Sequence, residues 1–317
     1  MKNKKLQIGL LDFSSISRLA RTGKSPAPRE IQILRKAIRS RGHVPVIYKV
    51  PKCQMYFHEK DAEILYNNKK IKGCDVLIPR VSITTNLELE VSIVKQFQLM
   101  GMPVINGYLP VQRAKNKLST LQVLTKRNLP VPRTMVVRQI QYIDAAIERI
   151  GGYPVILKSP FGSFGAGVVI VESRRSLFSA LDVLWLSMKS NILLIQEYVA
   201  EADGSDYRAF VVGNKVVASM KRTAQQGEFR SNLHLGGSAE AVKLTPLEQK
   251  IAIRATQALN LQVAGVDILR SKEGPMIMEV NANPGFLGLM DVTGVDVAGE
   301  IVDFAAKFLG KNRKHKD

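Results

Sequence analysis

Two apolar runs near the C-terminus, residues 263–269 and 276–281, each carry a carboxylate among β-branched and aliphatic neighbours. Their composition is that of strands, and the intervening Gly274-Pro275 predicts a turn, so the two are expected to pair as a hairpin. Asp267 sits within Gly265-Val266-Asp267-Ile268-Leu269, and Glu279 and Asn281 within Met278-Glu279-Val280-Asn281. Residues two apart share one face of a strand, so Glu279 and Asn281 point the same way, and Asp267 on the neighbouring strand can sit opposite them. Charged groups inside apolar strands are costly unless a cation or a partner offsets their desolvation. Two carboxylates and an amide oxygen are hard ligands suited to Mg²⁺ shared with phosphate oxygens, and the lack of a convergent His argues against zinc.

The N-terminal third has a βαβ rhythm. Strands are expected at 6–11, 44–48 and 76–78, a helix at 28–41 stopped by Gly42, a helix capped by Asn86 running to 100, and a short strand at 104–106. This predicts a small parallel sheet in a domain spanning 1–108. One helix is expected over 112–128, carrying Lys117, before the stiff stretch Leu129-Pro130-Val131-Pro132. A central subdomain is expected over 109–200, with strands at 153–158, 167–172 and 192–197 and a helix at 176–190. A C-terminal subdomain is expected over 201–310, with strands at 209–212 and 216–220 turning at Gly213-Asn214, a polar loop at 223–237, and helices at 246–260 and 297–309. A basic tail, 311–317, closes the chain. The fold class is thus α/β (α+β).

Lys158-Ser159-Pro160-Phe161-Gly162-Ser163-Phe164-Gly165-Ala166-Gly167 follows one strand and feeds another. Its glycines let backbone amides approach an anion, and a Lys at the strand end adds a point charge for phosphate. No helix opens at the last Gly, so this is not a dinucleotide fingerprint. Thr22-Gly23-Lys24-Ser25 resembles the end of a P-loop, but Arg18 stands where the first Gly is required.

The net charge is +19 and is concentrated in residues 1–50, 111–138 and 307–317. Such a field attracts polyanions, acidic peptides or nucleic acid. Mean hydropathy is near zero and no apolar run approaches a membrane span, so no membrane partner is expected. Cys53 and Cys74 have no zinc or redox spacing, which fits a reduced, cytoplasmic protein.

Taken in order, these features resemble the ATP-grasp superfamily, and within it the RimK family of glutamate ligases acting on ribosomal protein S6. The resemblance runs over nearly the whole chain. Its markers are Ile78-Pro79-Arg80, Ala114-Lys115-Asn116-Lys117-Leu118, Lys158 with its glycine loop, Gln196-Glu197-Tyr198 and Gly204-Ser205-Asp206-Tyr207-Arg208. The most specific are Gly227-Glu228-Phe229-Arg230-Ser231-Asn232-Leu233-His234, and Glu279-Val280-Asn281 with Pro284-Gly285. Leu235 departs from the pattern, standing where an Arg is expected, and the segment 12–29 is longer than the usual first loop.

The resemblance implies an ATP-grasp fold preceded by a preATP-grasp-like parallel-sheet domain. It implies that Lys117, Lys158, Gly162, Gly165 and Gly167 contact ATP phosphates, that Glu197 and Tyr198 form the adenine hinge, and that Asp206 holds the ribose. Arg230, Ser231 and Asn232 would close over the triphosphate. Asp267, Glu279 and Asn281 would bind two Mg²⁺ (or Mn²⁺) ions, and Arg222 would stabilise charge on the transferred phosphate. Arg80 is the candidate clamp for a substrate carboxylate. His234 is read as a loop anchor or an aid to proton transfer.

The implied reaction is an ATP-dependent carboxylate–amine ligation through an acyl phosphate. It would add L-glutamate to the acidic C-terminus of an S6-like protein, or to glutamate or poly-glutamate. Two alternatives remain open: a RimK-like ligase with another acceptor (an amino-group carrier protein, a cofactor tail or a ribosomal peptide), and a ribosome- or RNA-binding protein without turnover. Ribosome association and a homo-oligomer, dimer or tetramer, are expected. The apolar face of helix 86–100 is either an interface or a core face.

Overall fold

β1 (Gln7–Asp12) lies between β2 (Val44–Lys49) and β6 (Val76–Arg80) in a parallel three-stranded sheet, as the βαβ rhythm predicts. Both faces of β1 and β6 are covered, which is why they read as continuous apolar runs rather than alternating ones. Here the computed structural model of the chain describes residues 5–13, 29–59, 61–81, 87–160, 167–187, 192–231 and 236–313. Residues 22–25, most of the 12–29 segment, Asn86, Gly162, Gly165, Asn232, His234, Leu235 and residues 314–317 lie outside them.

α1 (Arg29–Ser40) buries Ile31, Leu34, Ala37 and Ile38, one face of a 3.6-residue repeat. It stops at Gly42, whose φ of +78° is costly for any residue with a Cβ. Between β2 and β6 the chain builds a sheet absent from the sequence reading: β3 (Cys53–His58), β4 (Asp61–Tyr66) and β5 (Lys69–Lys70), antiparallel in that order. The signal was the Asn67-Asn68 pair, both at positive φ in a tight turn. α2 (Leu87–Leu99) places Val91, Ile93, Val94 and Phe97 in the core, so its apolar face is a core face. The strand expected at 104–106 is a single bridge, Leu77 to Val104.

The single helix expected over 112–128 is two, α3 (Tyr108–Lys115) and α4 (Lys117–Lys126). Asn116 divides them: its backbone is extended and its side chain accepts from the Ser119 amide, an N-cap. Lys117 is therefore the first residue of a helix rather than part of a continuous one.

The central sheet has the order β7-β10-β8-β9, antiparallel throughout: β7 (Thr134–Val137), β8 (Val155–Lys158), β9 (Val168–Val171) and β10 (Leu193–Glu197). α5 (Ile143–Ile150) and α6 (Arg174–Ser187) cover it, with Ile147, Leu157, Leu177 and Ile195 in their shared core. The larger sheet runs β13-β12-β11-β14-β15: β11 (Ser205–Val212), β12 (Lys215–Thr223), β13 (Ser238–Ala241), β14 (Val263–Ser271) and β15 (Gly274–Asn281). β11 and β12 turn at Gly213-Asn214 as expected, whereas the β14–β15 turn is Lys272-Glu273 and Gly274-Pro275 already belong to β15. α7 (Pro246–Ala258) starts with a reciprocal capping box between Thr245 and Glu248 and packs on one face of this sheet. α8 (Leu287–Thr293) and α9 (Val297–Arg313) pack on the other, and α9 also contacts α1. The helix carries on through residues 311–313, which the sequence reading placed in the tail. No described helix is long and apolar enough to cross a membrane.

A buried Asn106 fastens the N-terminal lobe to the larger sheet. Its amide donates to the Val263 and Ala282 carbonyls at 2.6 and 2.7 Å and accepts from the Gln262 and Val263 amides at 2.7 and 3.0 Å. Gly265 permits a second close approach, since a Cβ there would lie 2.8 Å from the Pro284 Cβ.

Candidate active site

One face of the larger sheet carries a row of ionisable groups fixed by strand register. Arg222 on β12 lies opposite Asp206 on β11; Arg208, two residues along β11, lies opposite Asp267 on β14; and Asp267 lies opposite Glu279 on β15. Directly paired residues and those two apart share a face, so all five point the same way. Asn281 is on that face too, opposite Gly265. The structure thus brings together Asp267, Glu279 and Asn281, the three residues expected to ligate a cation.

Asp267 is 1 % exposed and held by two guanidiniums. Arg208 grips both its oxygens at 2.7 Å, and Arg222 reaches Oδ2 at 3.0 Å. Burial works to raise its pKa, but Arg208 and Arg222 outweigh burial and hold it below the usual carboxylate range. Arg222 also grips Asp206 with two bonds, 2.7 and 2.6 Å, and Ser231 Oγ donates to the same carboxylate. Asp206 is pushed up, first by burial and then by the Asp267 charge. Arg222 thus lies between two buried carboxylates, Asp206 is held by Arg222 and Ser231, and both residues line the cleft described below. The pairing follows from register, which sets Asp206 directly across from Arg222. Glu279 and Asn281 differ: among the described residues neither side chain makes a hydrogen bond.

The central sheet forms the facing wall of a cleft with about 970 Å³ of open space, and Lys117, Lys158, Glu197, Tyr198, Arg230 and Glu279 are among its lining residues. Lys158, at the end of β8, donates to Gln196 Oε1 at 2.6 Å, and the Gln196 amide donates to Thr134 Oγ1. Desolvation lowers the Lys158 pKa to about 8; Glu279 opposes this and the Lys117 charge adds to it. Lys115 is lowered for the same leading reason, with Glu279 and Glu90 countering and Lys117 and Arg80 reinforcing. Cations from three elements therefore crowd around the Glu279 carboxylate, a field prepared for additional negative charge. The Glu197 side chain accepts from the Arg133 amide and guanidinium at 2.7 and 2.6 Å, and residues 197–199 line the cleft. Gly167, at φ +71°, closes the glycine hairpin through its carbonyl to the Ser159 amide.

Arg230 is paired with Glu228 at 2.6 and 3.0 Å, and this pairing pulls the Glu228 pKa down to about 2. Arg80, the candidate carboxylate clamp, has partners within the protein. It is buried, its guanidinium bonds Glu30 and the Pro284 carbonyl (3.0 Å), and it stacks over Phe286 at 5.2 Å. Glu30, on a helix 50 residues earlier, supplies its counter-charge.

Arg208, Gln196, Glu228 and Lys115 stand within the family markers but were given no role of their own from sequence. Arg208 had a legible signal, its i+2 spacing from Asp206 on a strand. Gln196 depends on a partner on a neighbouring strand, Lys158, whereas Glu228 pairs locally with Arg230 two residues on.

The chain matches a RimK-like ATP-grasp domain over residues 114–305 and a RimK PreATP-grasp domain over residues 22–108. It is 41 % identical over 272 residues to a probable alpha-L-glutamate ligase of Pseudoalteromonas translucida, covering 86 % of this chain and 89 % of that protein. It is 39 % identical to a protein of the same name from Trichodesmium erythraeum, covering 93 % and 97 %. Among solved structures, the ATP-grasp ligase PsnB with a minimal precursor superposes with a TM-score of 0.72 at 19 % identity, covering 95 % and 98 % of the two chains. A RimK domain ATP-grasp protein of Sphaerobacter thermophilus gives 0.70 at 24 %, covering 94 % and 99 %. These likenesses extend over both lobes and the cleft between the two sheets: the chain belongs to the RimK family, with an ATP-grasp fold behind a small parallel-sheet domain.

Proposed function

We propose that this protein is an ATP-dependent carboxylate–amine ligase that adds L-glutamate, through an acyl phosphate, to the C-terminal carboxylate of an acidic protein tail such as that of ribosomal protein S6, or to a growing glutamate chain. The observation that carries this reading is the placement of Asp267 and Glu279 in one cleft with Lys158 and Lys117. The names of relatives about 40 % identical point the same way.

In this reading the acceptor carboxylate attacks the γ-phosphorus of ATP and ADP leaves. The glutamate amine then attacks the activated carbonyl, and phosphate departs as the C–O bond breaks. Lys158 and Lys117 hold the phosphates electrostatically in the cleft. Gly167, with Gly162 and Gly165, offers backbone amides, and the 197–199 backbone receives the adenine. The loop carrying Arg230, Ser231 and Asn232 covers the acyl phosphate, which open water would hydrolyse.

The donors fit Mg²⁺ or Mn²⁺, since they are all oxygens and the Glu279 and Asn281 side chains are uncommitted among the described residues. Two such ions, held by Glu279, Asn281 and an Asp267 released from Arg208, would neutralise phosphate charge. Arg222 acts as a positioning residue for Asp267 and Asp206. Arg80 acts by seating the N-terminal lobe on Pro284. The +19 charge recruits the acidic acceptor, on or off the ribosome, and the two thiols, Cys53 and Cys74, pushed up by burial to about 11 and about 12, suit the reducing cytoplasm.

The test is a mass spectrum after incubation with ATP, Mg²⁺ and glutamate, with and without a peptide ending in acidic residues, beside Glu279→Ala. A ladder of single glutamyl additions, lost in the variant, supports the proposal. RNA binding with no ADP formed refutes it.

A further inference from the structure

β10 reads Leu-Leu-Ile-Gln-Glu, and its Gln196 is 5 % exposed in an interior strand of the central sheet. A neutral amide in that place is costly unless its polar atoms are bonded. Register supplies the partners. Gln196 lies directly opposite Thr134 on β7 and opposite Ile156 on β8, so Lys158, two residues past Ile156, is its diagonal neighbour on the same face. Lys158 Nζ donates to Gln196 Oε1 at 2.6 Å, Gln196 Nε2 donates to Thr134 Oγ1 at 2.9 Å, and Thr134 Oγ1 donates to the Pro132 carbonyl at 2.8 Å. Only one polarity satisfies every member of this chain. An ammonium can only donate and a carbonyl can only accept, so the Thr134 proton goes to Pro132 and the Thr134 oxygen accepts. That turns the amide oxygen of Gln196 toward Lys158; the flipped amide would aim N–H groups at an ammonium.

We infer that Gln196 is a positioning residue for the phosphate site: it fixes the direction of the Lys158 ammonium, and Thr134 acts one step behind it by orienting the Gln196 amide. A lysine ammonium is a point charge on a flexible stem with rotatable donors. Gln196 takes one N–H and leaves the others for phosphate oxygens, so less rotamer freedom is lost when a nucleotide binds. Among the described residues Lys158 makes no other hydrogen bond. The anchor of the chain is stiff. Pro132 ends the stretch Leu129-Pro130-Val131-Pro132, whose two prolines have fixed φ. The Pro130 carbonyl accepts from the Ile277 amide of β15 at 2.8 Å, two residues before Glu279. One linker therefore holds both walls of the cleft, the Glu279 strand directly and Lys158 through Thr134 and Gln196. This inference rests on the proposed ligase reading in taking phosphate as the group that Lys158 holds.

The experiment is calorimetry of the full chain with ADP and Mg²⁺, and separately with adenosine. Gln196→Leu should weaken ADP about tenfold, the worth of a hydrogen bond to a charged group, and leave adenosine unchanged. Lys158→Met should weaken ADP at least as much. Adding Gln196→Leu to Lys158→Met should cost less than about twofold more, because a residue that acts through Lys158 then has nothing to position. Should Gln196→Leu fail to fold, Thr134 decides: Thr134→Val should weaken ADP about threefold, and Thr134→Ser, which keeps the hydroxyl, should recover the loss. An ADP affinity untouched by Gln196→Leu, an equal loss for adenosine, or an undiminished effect of Gln196→Leu on top of Lys158→Met would overturn the inference while leaving the ligase reading in place. A parent chain that binds no ADP, or Lys158→Met without effect, would overturn both.

Discussion

Replacing Arg222 by methionine keeps most of the side-chain volume but leaves two buried carboxylates facing one another. Asp206 and Asp267 are each 1 % exposed, and Arg222, 4 % exposed, bonds both. Asp267 retains Arg208, and Asp206 retains only the Ser231 hydroxyl among the described residues, so the loss falls mainly on Asp206. Breaking a buried ion pair by removing one partner costs about 3–5 kcal/mol. At about 2 °C per kcal/mol for a chain of this size, Tm should fall by roughly 6–10 °C. The deficit should also depend on pH. Without Arg222, burial and the Asp267 charge raise the folded-state pKa of Asp206 above its unfolded value. A raised carboxyl stabilises the fold when protonated and loses that contribution as pH climbs through its folded pKa. The variant's deficit should therefore shrink between pH 7 and pH 5. Adding Asp206→Asn should recover part of it, giving a coupling energy above about 1 kcal/mol in a double-mutant cycle. Thermal and urea unfolding measure all three effects. A variant within about 1 kcal/mol of the parent, with a deficit unchanged from pH 7 to 5, would refute the reasoning.

Three further outcomes are expected. Lys158, held at about 8 in the free protein, must take up a proton to hold a phosphate above that pH, so nucleotide affinity should fall about tenfold between pH 7 and 9; calorimetry in buffers of different ionisation enthalpy reads the uptake, and Lys158→Met should abolish the slope. Glu279→Gln should lose Mn²⁺ binding, read by EPR, and ADP formation, while Tm stays within about 2 °C, because its carboxylate has no hydrogen bond to lose among the described residues; a large Tm loss would show a structural role instead. Asn106→Ala should cost about 3 kcal/mol or more in urea unfolding, since three buried backbone groups and one part-buried one lose their partner.

The placement of the cation-binding candidates was legible because it is local. Glu279 and Asn281 are two apart on a strand, and Asp267 lies in the strand joined to it by a two-residue turn, so period and hairpin geometry suffice to set them on one face. The parallel N-terminal sheet was legible for a similar reason, as strands buried on both faces read as uninterrupted apolar runs. The break in the 112–128 helix was missed because one capping Asn overrode a pattern that fits either one helix or two. β3 to β5 were missed because their apolar residues, Ile64 apart, are only partly buried or exposed and leave a weak alternation.

What the sequence alone determined is the set of strands and helices with strong patterns, the chemical types at the site, and the family they belong to. Partnership was decided in three dimensions. Arg208 finds Asp267 59 residues away, Arg80 finds Glu30 50 residues away, and Asn106 finds Val263 157 residues away. Each pairing depends on a register or a packing angle between elements, and a one-residue slip would turn every side chain of a strand to the other face. Residue types therefore announce that charge must be neutralised, and the tertiary structure settles which group neutralises it.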